Sequence, residues 1–110
     1  MKVLGKTERI KHLLTRRDFG AEVTVHGWVR TRRDSAGGFS FLNINDGSCL
    51  SGIQVVADGT LGNYESDVLK LVTGCCVRVH GVLVASQGKG QKVEIRANRI
   101  EVLGWVEDPQ

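Results

Sequence analysis

Cysteine is scarce in this chain, and its count is odd: Cys49, Cys75 and Cys76, with no CxxC spacing among them. Neighbouring cysteines rarely bridge each other. The pattern therefore excludes a disulfide framework and implies free thiols in a reducing, cytoplasmic compartment. His12, His26 and His80 are scattered, which argues against a zinc site. Aromatic residues make up only 5% of the chain. No apolar run is long enough to span a membrane. The N-terminus is basic but lacks the apolar stretch of a secretory signal. No Ser/His/Asp or Cys/His arrangement suggests catalysis, and there is neither an internal repeat nor a low-complexity segment.

What the chain does have is glycine, with 14 residues, and 41% hydrophobic residues in a length of 110. That length fits one domain with a small core. Many glycines between short apolar runs favour turns and twisted strands over long helices. The net charge of +3 is unevenly spread: residues 1–33 carry nine Lys/Arg against three Asp/Glu, a net +6, while residues 34–110 are net −3. A basic N-terminal third on a small β domain suits a phosphate-rich partner, although charge alone fits an ordinary solvated surface equally well.

Residues 7–14, TERIKHLL, predict a short helical turn with Ile10, Leu13 and Leu14 on one face. Glu22 to Arg33 reads as a first strand, followed by a Ser35-Ala36-Gly37-Gly38 hairpin connection. Phe39 to Asn45 is a second strand, closed by the turn signal Asp46-Gly47. Gly52 to Ala57 is a third. Asn63 is placed to cap a helix from Tyr64 to Val72, with Val68, Leu69 and Val72 facing inward. Cys75 to Ser86 is the fourth strand, Gln87-Gly88-Lys89-Gly90 a flexible loop, and Lys92 to Val102 a fifth strand broken near Asn98. Glu107-Asp108 followed by Pro109 ends the strand pattern. The domain plan is an N-terminal extension (1–21), a β domain (22–103) and an exit linker (104–110). Three strands, a helix and two strands is the order of a mainly β, five-stranded Greek-key OB-fold barrel, with the helix between strands three and four. Such barrels commonly bind oligonucleotides on the face of strands two and three.

Strand parity sorts the surface. Ile53 and Val55 face in, so Gln54 faces out. Val93 and Ile95 face in, so Glu94 and Arg96 face out. The second strand is apolar on both sides. A closed barrel has one interior, so if Leu42 and Ile44 fill it, Phe39 and Phe41 lie outside. For Phe39 the alternative is packing under the helix or the N-terminal segment. For Phe41, the outward parity of Gln54 and Glu94 outlines a pocket in which an aromatic plate, an amide and a carboxylate read a base. Stacking of a base on such a ring is worth about 1–3 kcal/mol.

The stretch from Gly27 to Val56, GWVRTRRDSAGGFSFLNINDGSCLSGIQVV, resembles the N-terminal anticodon-binding domain of the class IIb aminoacyl-tRNA synthetases: the aspartyl, asparaginyl and lysyl enzymes. The shared pattern is carried by Gly27-Trp28-Val29, Arg33-Asp34, Gly37-Gly38, Phe41 with Asp46-Gly47, and Gln54-Val55. RTRRDS, the NDGS at Asn45–Ser48, and the run from Thr73 to Pro109 favour the bacterial asparaginyl branch. The resemblance covers roughly residues 20–109. It implies that Phe41 stacks on the middle anticodon base, a uridine, that Gln54 and Glu94 hydrogen-bond this base, and that Arg33 contacts the anticodon. Arg30, Arg32, Phe39, Lys89 and Lys92 are secondary RNA-binding candidates; the three arginines at the strand end also read as a solvated basic edge. Gly88-Lys89-Gly90 is like a phosphate cradle but lacks the Walker spacing, and so reads as a loop near the RNA. Many asparaginyl relatives have proline where Gln87 stands, which predicts a looser loop here.

The resemblance further implies a transfer RNA partner, that of asparagine, and no cofactor in this domain. It also implies ATP and magnesium in a full-length, homodimeric ligase, whose catalytic domain is expected beyond this chain. The chain thus reads as a non-catalytic domain of a ligase. Three alternatives stay open: the aspartyl or lysyl equivalent, a general single-stranded nucleic-acid-binding OB protein, and an interaction domain with Trp28 and Trp105 as apolar anchors.

Overall fold

The computed structural model describes residues 7–86 and 93–106. One helical turn, α1 (Ile10–Leu13), precedes five strands: β1 (Glu22–Asp34), β2 (Phe39–Asn45), β3 (Ile53–Asp58), β4 (Cys76–Ala85) and β5 (Val93–Gly104). They close into a barrel in the order β1-β2-β3-β5-β4. Every neighbouring pair is antiparallel except β3 and β5, which meet in parallel through Val55–Ile95 and Val56–Arg96. This is the expected OB architecture.

The interior is the set that strand parity selects. Leu42, Ile44, Ile53, Val55, Val93 and Ile95 are all fully buried. Alternation breaks where the ladder shifts register between His80 and Gly81: Ala97 faces Gly81, Arg99 faces His80, and Asn98 is left unpaired between them. This bulge is the physical form of the strand break expected near Asn98. It reverses parity, so that Ile100 points into the core while Arg99 and Glu101 face outward. A side chain at Gly81 would run into the Arg96 carbonyl oxygen, and one at Gly27 into that of Asn45. At these two points the curved sheet brings backbones too close for a Cβ.

A single turn of helix has too few hydrogen bonds to be stable alone. Here α1 is held from outside. The Ile10 amide donates to Asp46 Oδ2 at 2.9 Å and the Lys11 amide to Ser48 Oγ at 3.0 Å. Two orphan N–H groups of the helix start thus find acceptors on the β2–β3 turn. Ile10 and Leu13 drop into the core beneath. Partial burial would raise the Asp46 pKa, but hydrogen bonds from the Ser48 hydroxyl and from the Ile10 and Ser48 amides together hold it below the usual carboxylate range.

The helix expected over Tyr64 to Val72 is not formed. The β3–β4 connection is a series of turns ending in a 3-10 turn, Val68–Lys70. Asn63 does not cap a helix: its Nδ2 donates to Asp67 Oδ2 and to the Ile100 carbonyl, both at 2.9 Å. Tertiary anchoring overrides the local signal. The residues that reach the core are Leu61, Tyr64, Val68 and Leu71, whereas Val72 is 53% exposed. Among the described residues no helix is long and apolar enough to cross a membrane.

Candidate nucleic-acid interface

The outer face of β1, β2, β3 and β5 presents two adjacent rows of side chains. Register places Arg33 opposite Phe41, Phe41 opposite Val56, and Val56 beside Arg96. The neighbouring row runs from Thr31 through Asn43 to Gln54, and Glu94 lies next to Gln54 across the parallel seam. In the first row an aromatic ring is flanked by an arginine at each end. The Arg33 guanidinium carbon lies 5.1 Å from the Phe41 ring centroid, a cation–π contact. In the second row Gln54 Nε2 donates to Glu94 Oε2 at 2.6 Å. The structure therefore brings Arg33, Phe41, Gln54 and Glu94 onto one face; parity gave this direction for Phe41, Gln54 and Glu94, whereas Arg33 comes to it through the irregularity between Val29 and Thr31.

Two features of this cluster were not foreseen. Glu94 points outward by parity yet is only 7% exposed. A buried carboxylate is costly unless it is paired. Among the described residues, Gln54 Nε2 is the single hydrogen-bond donor that meets it. Gln54 thus holds the carboxylate, in addition to the base-reading role assigned to it. Arg96, exposed at the far end of the Phe41 row, joins the set of cations on this face; its outward parity was the signal for it. Asp58, facing Phe39, is kept below the usual carboxylate range by the Thr60 hydroxyl and amide, and the Arg96 charge acts in the same direction against partial burial.

The secondary candidates divide. Phe39 is 37% exposed at the foot of the β1–β2 hairpin, its ring beside Gly37, rather than packed into the core. Arg30 sits in the irregularity between Val29 and Thr31, and its Nη1 donates to the Leu50 carbonyl at 2.5 Å. Arg32 turns to the other side of the sheet. Its Nη1 donates to the Val68 carbonyl at 3.1 Å and its Nε lies 3.5 Å from Asp34 Oδ1. Lys89 and Lys92 lie outside the described residues, as do the Gln87–Gly90 loop and the Glu107-Asp108-Pro109 exit. Trp28 and Trp105 are both exposed. Trp28 borders a groove of about 470 Å³ shared with Arg30, Asn45, Gly47, Cys49 and Leu50. Among the described residues no three His, Cys, Asp or Glu side chains converge to hold a metal ion.

A family model described as an OB-fold nucleic acid binding domain matches residues 23–103. The chain is 62% identical over 87 residues, 79% of its length, to an asparagine–tRNA ligase of Colwellia psychrerythraea, and covers 19% of that protein. It is 60% identical over 91 residues, 83% of its length, to an asparagine–tRNA ligase of Xylella fastidiosa, covering 20% of it. It thus spans about a fifth of the length of these curated relatives. Among solved structures, asparaginyl-tRNA synthetase from Pyrococcus horikoshii, complexed with asparaginyl-adenylate, superposes on 80% of the chain. The TM-score is 0.71 and the identity 27%, and 20% of that protein is covered.

Proposed function

Since this chain belongs to the family of OB-fold nucleic acid binding domains, we propose that it binds the anticodon loop of asparagine transfer RNA on behalf of an asparagine–tRNA ligase, and that the outer face of β1, β2, β3 and β5 reads the middle anticodon base, a uridine. The observation that carries this reading is the Glu94 carboxylate, buried beside Phe41's row with one donor among the described residues. An ionised carboxylate accepts several hydrogen bonds and donates none. Uracil offers an N3–H donor between two carbonyl acceptors, so Glu94 accepts from N3–H. Arg33 or the Gln54 amide supplies the donor for a carbonyl. Cytosine has a bare N3 that would face Glu94 acceptor to acceptor, leaving both groups unpaired.

Phe41 supplies the plate. In the free protein Arg33 covers the ring. An incoming base takes this place, and the displaced guanidinium, still beside the site, pairs with a phosphate or closes over the base. Arg96 extends the positive edge along the same row. The reading carries with it a homodimeric ligase whose ATP and magnesium chemistry is handled outside this domain, and no residue here is assigned to that chemistry.

The test is equilibrium binding of two anticodon stem-loops, differing only by uridine or cytidine at the middle position, at one salt concentration, because phosphate contacts make affinity strongly salt-dependent. The uridine form is expected to bind at least tenfold more tightly. Equal affinities would overturn the reading.

A further inference from the structure

Behind the reading face, the hairpin that carries it is fastened by a line of buried hydroxyls. Ser40 is fully buried. Its Oγ lies 2.7 Å from Asp34 Oδ1 and 2.9 Å from the Tyr64 hydroxyl. A serine hydroxyl has one proton, and an ionised carboxylate can only accept. The Ser40 proton therefore goes to Asp34, and Tyr64 must donate to Ser40. The direction of the whole line is fixed: Tyr64 O–H to Ser40 O–H to the Asp34 carboxylate. A second line returns from Asp34 to Arg32 at 3.5 Å and from Arg32 to the Val68 carbonyl at 3.1 Å. Tyr64 and Val68 belong to the same β3–β4 connection. The two lines thus close a ring between that connection and the end of the β1–β2 hairpin.

The ring's position gives it a consequence for binding. Asp34 pairs with Ser40, and the next pair along the ladder is Arg33 with Phe41. Successive residues of a strand point to opposite faces. The ring thus grips one face of the hairpin at the residues next to the two that present a guanidinium and an aromatic ring on the other. We propose that Tyr64 is a positioning residue for the RNA-reading face: through Ser40 and Asp34 it sets the hairpin so that Phe41 and Arg33 stand in register to receive a base. This rests on the function proposed above, because the readout is RNA affinity.

The experiment measures uridine stem-loop binding, well below the melting temperature, for wild type, Tyr64→Phe, Ser40→Ala and the double variant, each also made with Phe41→Ala. Tyr64→Phe keeps the ring and removes only the hydroxyl. The expected loss of affinity is roughly threefold to tenfold, the range of one net hydrogen bond. Breaking either link breaks the same line, so the double variant should be little worse than either single one. In the Phe41→Ala background Tyr64→Phe should cost clearly less than in wild type, because one of the two residues through which it acts is gone. Ile100→Val, a mild core truncation on β5 that lowers stability while leaving every hydrogen-bonding group of the ring in place, should leave affinity unchanged. Wild-type affinity in Tyr64→Phe would overturn the proposal. So would a loss that persists in full without Phe41, or an equal loss in Ile100→Val, since both mark a general structural effect. The wild-type protein is measured first: if it does not bind the uridine stem-loop, the anticodon reading itself fails and this proposal falls with it, whatever the variants do.

Discussion

Two glutamates on β5, Glu94 and Glu101, face the outside of the same barrel and are treated very differently by it. Glu101 is surrounded by a histidine and two arginines. His80 Nε2 lies 2.9 Å and Arg78 Nη1 3.7 Å from its Oε1, and Arg99 Nη2 lies 3.5 Å from its Oε2. His80 is in turn fixed by Thr24 Oγ1, 3.1 Å from its Nδ1. The His80 hydrogen bond, helped by the charges of Arg99 and Arg78, holds the Glu101 carboxyl below its usual range against partial desolvation. Glu94 is more deeply buried and meets a single amide among the described residues. Glu101 is thus met by three basic side chains of the protein, while Glu94 meets no second donor among the described residues. On the function proposed above, the difference separates a carboxylate that ties strands together from one that meets a base.

The contrast can be broken, and the largest effect is expected at the ring beside Glu94. Phe41→Ala should weaken binding of the uridine stem-loop by about 1–3 kcal/mol, the worth of one base–aromatic stack. The melting temperature should change little, because Phe41 is only partly buried outside the core. A collapse of thermal stability in a melting curve would make Phe41 a core residue instead. Next comes Glu94→Gln. An amide can rotate to donate or accept, so uridine and cytidine stem-loops should approach each other in affinity, by about 1.4 kcal/mol if the ratio shifts tenfold. Loss of the negative charge will raise affinity for both, so the ratio is the measurement. An unchanged ratio would leave Glu94 without a reading role.

The smallest effect on binding is expected at the other glutamate. Glu101→Gln should leave the uridine-to-cytidine ratio untouched. Its signature is in acid. A carboxyl whose folded pKa is depressed adds stability above its unfolded value, near about pH 4.3, and that stability is lost as pH falls through the lower folded value. Wild type should therefore lose stability below about pH 4 more steeply than Glu101→Gln when both are unfolded by denaturant across that range. Parallel pH profiles would mean the ion cluster contributes nothing net.

The five strands, their inner faces and the break near Asn98 were legible in the sequence because each is a local matter of period two. The OB order followed from them. What was not legible depends on partners distant in the chain. The Tyr64 to Val72 segment carries helical spacing and a capping residue, yet Asn63 is drawn to a β5 carbonyl and the helix does not form. Arg32 shares its strand and charge with Arg33, but the irregularity between Val29 and Thr31 and the nearby Val68 carbonyl turn it to the opposite side. Parity gave the outward direction of Glu94 and not its burial or its pairing with Gln54, which lies on another strand 40 positions away. Asp46 read as a turn residue; that it also accepts the Ile10 amide depends on a segment 36 residues earlier.

The parallel pairing of β3 with β5 has a consequence for how the chain acquires its site. Arg33 and Phe41 lie in one hairpin, eight positions apart, and can meet as soon as two neighbouring strands zip together. Gln54 and Glu94 are 40 positions apart and sit on either side of the parallel seam between β3 and β5. Contacts of such separation form late and slowly, since the intervening loop must be ordered first. A chain folded only as far as its first three strands would offer a ring for any base to stack on, with nothing to tell one base from another. On the function proposed above, discrimination arrives only with the β3–β5 seam, so the ability to choose uridine would itself report that this seam has formed.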